Sequence, residues 1–401
     1  MEKTIMIPKR LIVNTSASIS VNRWFWMITT VISVLLGLGI SQMVQLHEAT
    51  AESQDNPLSE LAAELDAIKA KHRMLQAKWQ SELLAQIVPT LTDESNGVKR
   101  QFVDFLEEIG SPGTPALVAM LRDPNRRVRQ RAVEGLGQIG KRERKAGRNS
   151  DAVAIALATA LEDSSKDVVR EAVEELDGVR PTSPESLAVV VPALIAARTV
   201  DSSSVRNDVV DVLGRIGEIL AKNGQSTDTI RDALIVSLND KSSKVRTNAI
   251  DELSDIRAAS TETFTALIGA LSDGSNSVRA RAEDVLIELG EDAAAAITPL
   301  LADALTNIES SVTRVQVVDV LGAIGEELID DGKSGEIVVK PILVALRDTA
   351  EDVRRNAADE LGEMRATSPE VKTALTQALD DSSKAVRDAA KKAIRRIEGA
   401  K

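Results

Sequence analysis

Residues 121–140 read LRDPNRRVRQRAVEGLGQIG. The pattern predicts a helix ending near Leu121, a turn at Asp123-Pro124 and a second helix from about Arg127 to Ile139. Val128, Ala132, Leu136 and Ile139 are spaced four, four and three residues apart, which places them on one helical stripe. Gly137 and Gly140 are expected to supply the small residues that close the helix. One such pair of helices cannot bury its stripe alone, whereas a stack of pairs can.

The unit recurs. Counting from the basic residue after the first apolar position, apolar side chains return at plus three, plus seven and plus ten. Lys99 leads to Phe102, Leu106 and Ile109, Arg129 to Ala132, Leu136 and Ile139, and Arg206 to Val209, Leu213 and Ile216. Arg246, Arg279, Arg314, Arg354 and Arg387 repeat the pattern, and in one copy Val169 takes the basic slot while Ala172, Leu176 and Val179 stay in phase. These nine copies stand at intervals of 30, 40, 37, 40, 33, 35, 40 and 33 residues. The intervals of 40 hold polar insertions, Lys141–Ser150, Ala221–Thr227 and Asp330–Gly335, expected as longer connections between helices. Arg206, Arg246 and Arg279 precede Arg314, Arg354 and Arg387 by 108 residues, the mark of a duplicated three-repeat block. A last helix over 384–397, with Lys391, Lys392, Arg395 and Arg396 on its outer side, suits a solvated cap.

The pattern resembles the HEAT-repeat family, including bacterial HEAT-like repeats of the bilin-lyase type. The match lies in Pro115-Ala116-Leu117, Asp123, Val128-Arg129, Ala132 and Leu136-Gly137-Gln138-Ile139-Gly140, and the copies cover roughly residues 80–398. The resemblance implies an all-α solenoid of about nine helical hairpins. It also implies that Asp123, Asp163, Asp240, Asp273, Asp348, Asp381 and the earlier Asp93 form a ladder with the recurring arginines. For function it implies a binding surface with varied partners.

Composition narrows the chemistry. The chain has no cysteine, and its two histidines, His47 and His72, precede the repeats. Thiolate metal sites, cysteine nucleophiles and histidine-based triads in the solenoid are thereby excluded. The net charge of −12 argues against a surface that is basic throughout, and aromatic residues make up only 2% of the chain, too few for base stacking. Nucleic acid is therefore disfavoured as a partner. Gly135-Leu136-Gly137-Gln138-Ile139-Gly140 spells a dinucleotide-loop motif, but that motif needs a preceding strand, and here it falls inside a helical repeat. No catalytic residue, metal or cofactor is expected.

Ahead of the repeats the chain divides into a polar tail (1–23), an uncharged run (24–44), a linker (45–57) and an amphipathic helix (58–79). The run of 21 residues is long enough to cross a bilayer, Trp24 and Trp26 stand at its start, and the basic residues precede it. It is expected to be a signal anchor in an inner membrane, with the N-terminus in the cytoplasm and the repeats (80–401) in the periplasm or outside. A cleaved signal peptide ending at Ala49-Thr50-Ala51 is the competing expectation, and it exports the repeats equally. In the 58–79 helix, Leu58, Leu61, Leu65, Ile68, His72, Leu75 and Trp79 alternate steps of three and four, which serves either a homodimer stalk or a cap on the first repeat.

The most individual feature is a basic cluster: Arg122, Arg126, Arg127, Arg131, Lys141, Arg142, Arg144, Lys145 and Arg148, beside the ladder residue Arg129. It is expected either to meet an anionic partner, an anionic lipid among them, or to be a solvated loop. Together these features give a non-enzymatic, membrane-anchored scaffold that binds protein partners. A self-assembling spacer, a bilin-lyase-like enzyme and a nucleic-acid-binding protein are the alternatives.

Overall fold

The computed structural model describes residues 96–399, together with the single helical positions 71, 74, 78 and 82. The chain forms two compact units, Met1–Leu75 and Gln76–Lys401, and the account below concerns the second. The expected span at 24–44, the linker at 45–57 and most of the 58–79 helix lie outside the described residues. Among the described residues, no helix is long and apolar enough to cross a membrane.

The described unit is all helix. After α1 (Asn96–Ile109) and a 3₁₀ turn (Ser111–Gly113) come α2 (Thr114–Met120), α3 (Arg126–Lys145), α4 (Asp151–Ala160), α5 (Lys166–Val179), α6 (Pro184–Ala197) and α7 (Ser203–Lys222). There follow α8 (Asp228–Ser237), α9 (Ser243–Asp255), α10 (Thr261–Ala270), α11 (Asn276–Asn307) and α12 (Ser311–Asp330). The last four are α13 (Glu336–Ala345), α14 (Glu351–Glu363), α15 (Pro369–Ala378) and α16 (Lys384–Gly399). The nine apolar stripes lie on α1, α3, α5, α7, α9, the first half of α11, α12, α14 and α16. The second half of α11 is the first helix of the next copy, reached through a kink at Ala293 (φ −120°, ψ 24°). Local sequence sets the helix starts: Asn125, Ser183, Ser260, Ser310 and Ser368 each accept from a backbone N–H two or three residues on.

The helices stack in two layers. Each second helix packs along the next, α3 on α5, α5 on α7, α9 on α11, α12 on α14 and α14 on α16, and among the first helices α4 packs on α6 as extensively as α5 does on α7. Val128, Ala132, Leu136 and Ile139 are each no more than 1% exposed, and their counterparts in the other copies join one core, mostly of Ala, Val, Leu and Ile with Met364, against which Phe102 and Ile109 of the first copy pack part-buried.

Two sequence expectations are corrected. Gly137 and Gly140 do not end their helix: α3 runs on to Lys145. They are sites of close approach, because a Cβ on Gly140 would meet Val179 and Val153 side chains at 2.6 and 2.9 Å, and one on Gly137 would collide with the Glu175 carboxylate. Nor are the insertions only loops. Their first residues lengthen α3, α7 and α12 to 20 residues, against 13 in α9 and α14.

Candidate functional site: the second-helix face

The turn aspartates and helix arginines form the ladder that the resemblance implied. In each complete rung the arginine Nε and Nη2 donate to both carboxylate oxygens of the next copy's aspartate: Arg129 to Asp163 (2.6 and 2.8 Å), Arg206 to Asp240 (2.6 and 2.8 Å) and Arg246 to Asp273 (2.7 and 2.7 Å). Arg314 with Asp348 and Arg354 with Asp381 do the same, and Lys99 Nζ reaches Asp123 at 2.8 Å. The arginine Nη1 also donates to turn carbonyls of its own copy, as Arg206 does to Val200 and Asp201 O. Each aspartate in turn accepts from the backbone N–H two residues on, as Asp240 does from Ser242 at 2.7 Å. Asp93 lies outside the described residues.

These contacts hold the aspartates ionised. At Asp273 and Asp381 the arginine hydrogen bond leads and holds the carboxyl below its ordinary range. At Asp163, Asp240 and Asp348 burial is the largest single influence and pushes upward, but the arginine and backbone bonds together outweigh it.

The ladder is interrupted twice. Val169 replaces the arginine, and Val200 stands where the next aspartate would be, six residues before Arg206. Arg279 keeps its bond to Asp273 O (2.7 Å) and bonds Asn276, but the next aspartate position is Ile308. Rungs therefore come in twos: 99 and 129, 206 and 246, 314 and 354.

Most of the predicted basic cluster is occupied inside the fold. Arg126 pairs with Asp167, Arg131 with Asp104, Glu107 and Glu134, and Lys141 with Glu175. Arg142 donates to Glu107 O at 2.7 Å, Arg144 to Gly178 O at 3.0 Å, and Arg148 pairs with Glu143. Arg122, Arg127 and Lys145 are exposed, as are the paired Arg126, Arg142, Arg144 and Arg148.

The more extensive feature is acidic, and the sequence reading missed it. Where α5, α9 and α14 cross α3, α7 and α12, a glutamate lies against a glycine: Glu175 on Gly137, Glu252 on Gly214 and Glu360 on Gly322. Burial pushes all three carboxyls up. Lys141 opposes this at Glu175. At Glu252 and Glu360 neighbouring carboxylates add to burial instead, Asp211 and Asp255 at the first and Asp319 and Glu363 at the second, and each is pushed up to about 8. Around them Asp208, Asp255, Glu283, Asp319 and Glu326 are also raised, by burial first. At Asp208, Asp255 and Glu326 the next influence is another carboxylate, whereas Gln316 and Asn356 donate to Glu283 and Asp319 at 3.1 and 2.6 Å. Cations stand nearby as well, Lys244 and Arg170 near Asp208, Arg215 near Glu252, Arg281 near Asp255, Arg355 near Asp319 and Arg396 near Glu326, but they do not offset burial. The result is a run of part-buried carboxylates across α7, α9, α11, α12 and α14.

With that geometry in hand, comparison with known proteins is informative about the fold. A family profile described as HEAT repeats matches residues 81–177 and 339–401, so HEAT repeats are found in this chain. No curated protein matches it in sequence. Among solved structures it is similar to the karyopherin Kap121p bound to the extreme C-terminus of the protein phosphatase Cdc14p (18% identity, TM-score 0.50, covering 95% of this chain and 45% of that one). It is also similar to Kap121p bound to Pho4p (14%, 0.50, 79% and 39%) and to importin beta (15%, 0.49, 82% and 47%). The chain spans less than half the length of each. At these identities the likeness to Kap121p shows the fold, an all-α solenoid.

Proposed function

We propose that this chain is a non-enzymatic scaffold whose second-helix face docks a basic segment of a partner protein. One observation carries this: seven carboxylates stand on five successive second helices, burial pushes all seven up, and at six of them neighbouring carboxylates add to it. A lysine- or arginine-rich segment laid along the stack would relieve that repulsion at several helices at once, which is the extended mode of binding a solenoid offers. Kap121p is bound in one structure to the extreme C-terminus of Cdc14p and in another to Pho4p, which supports reading such a stack as a docking surface. The scaffold is proposed to be anchored through residues 24–44 with its repeats outside the cytoplasm. Arg122, Arg127 and Lys145 are left for any anionic contact near the N-terminal end.

The test is recovery of partners from detergent-solubilised membranes, with the mass of the bait's N-terminus read in the same experiment. Wild type should retain basic proteins that elute as salt rises. Asp319→Asn/Glu326→Gln/Glu363→Gln should lose them, and equal recovery by that variant would refute the docking face. An N-terminus beginning at Glu52 would refute the anchor.

A further inference from the structure

Three equivalent crossings of second helices carry the same buried glutamate, and they differ in what surrounds it. At the first, Lys141, four residues after Gly137, places its Nζ 2.8 Å from Glu175 Oε2, and the position three residues after Glu175 is Gly178. At the second, the residue four after Gly214 is Glu218 and the residue three after Glu252 is Asp255. The chain has thus replaced the cation by a carboxylate and added another carboxylate opposite. One oxygen from each of Glu218, Glu252 and Asp255 lies within 4.8 Å of the other two. Glu252 is only 9% exposed, and its Oε2 has no hydrogen-bond partner among the described residues. Of the nearby cations, Arg215 pairs with Asp177 and Arg281 with Asp251, while Lys222 Nζ stands 2.6 Å from Glu218. At the third crossing the equivalent Glu326 and Glu363 also surround Glu360, but there Arg396 and Lys392 of α16 pair with Glu363. Among the described residues, the middle crossing alone brings an oxygen of each of its three carboxylates within 4.8 Å of the other two.

We propose that Glu218, Glu252 and Asp255 form a Ca²⁺ site that clips α7 to α9. The ligand chemistry is that of a hard cation, since all three donors are carboxylates. Ca²⁺–oxygen bonds of about 2.3–2.6 Å span oxygens at this separation, and the partial exposure of Glu218 and Asp255 leaves room for the waters that complete its shell. The ion would stand where the Lys141 ammonium stands at the first crossing. It would also face Asp211 and Arg215 of α7.

The test is calorimetric titration of the full chain with CaCl₂ and, separately, MgCl₂. Wild type should bind one Ca²⁺, with a Kd of about 10⁻⁴–10⁻³ M, and more tightly than Mg²⁺. Asp255→Asn should weaken Ca²⁺ at least tenfold. Glu218→Lys, which recreates the Lys141 arrangement, should abolish Ca²⁺ binding and raise the Tm of the metal-free protein. Absence of wild-type binding, or retention of it by a folded Glu218→Lys, overturns the proposal.

Discussion

Arg206 is the most demanding rung to break. It is 3% exposed and donates four hydrogen bonds, two to the Asp240 carboxylate and two to the carbonyls of Val200 and Asp201. Arg206→Val would strand Asp240, whose side chain is itself only 11% exposed, beside two bare carbonyls. Breaking one partner of a buried pair costs about 3–5 kcal/mol, because the remaining charge stays desolvated. Asp240→Val alone leaves the arginine its carbonyl bonds but removes the acceptor of Ser242 N–H, and a cost of about 2–4 kcal/mol is expected. The double variant should not sum these losses. With both charges gone nothing ionic is stranded, and the penalty should fall to about 1–3 kcal/mol. The chain already contains the precedent, since Val169 and Val200 occupy the corresponding slots at an interrupted rung. Because solenoid repeats open separately, the measurement is hydrogen exchange of α7–α9 peptides rather than a global melt. A double variant as unstable as the two singles added together would refute the reasoning, showing that the rung acts through packing rather than charge.

Three further outcomes follow from the same contacts. Glu252 and Glu360 have folded-state pKa values of about 8, above an unfolded carboxyl near 4.3, so their stabilising contribution is complete below pH ~4 and is lost as pH rises through 8. Denaturant titrations should therefore show Glu252→Gln overtaking wild type with rising pH, by on the order of 1–3 kcal/mol at pH 8 without Ca²⁺. Gly214→Ala should destabilise by about 1–3 kcal/mol through collision with the Glu252 carboxylate, and adding Glu252→Ala should recover most of that in thermal melts. Arg257 closes α9 in the left-handed region at φ 48°, with its amide bonded to Ser254 O at 2.8 Å, so Arg257→Gly should stabilise by about 1 kcal/mol in urea titration.

The stripe of Val128, Ala132, Leu136 and Ile139 was legible because helical periodicity is local, and every member is buried. The Arg129–Asp163 rung was legible through resemblance and repetition at fixed spacing. The glycines were misassigned because a glycine that ends a helix and one that admits a neighbour look alike until the neighbour is placed. Gly137 needs Glu175, 38 positions away, to explain it. The acidic face stayed hidden for the same reason. Asp211 and Glu218 read as an ordinary solvated stripe on α7, and only stacking sets them against Glu252 and Asp255. Six of the nine members of the basic cluster find partners on α1, α3 and α5, contacts that a linear charge count does not reveal.

The paired rungs have a mechanical consequence. Charged bidentate contacts are directional and resist sliding, whereas apolar contact at Val169/Val200 or Ile308 keeps most of its energy under a small shear. The stack should behave as three stiff segments connected by two compliant joints, so that a partner longer or shorter than the resting stack is accommodated at those joints while each segment keeps its shape. Stretched between its ends, the protein should yield first near residues 169–200 and 279–308, and force spectroscopy on a variant carrying Val169→Arg with Val200→Asp should find the first of those yields at higher load.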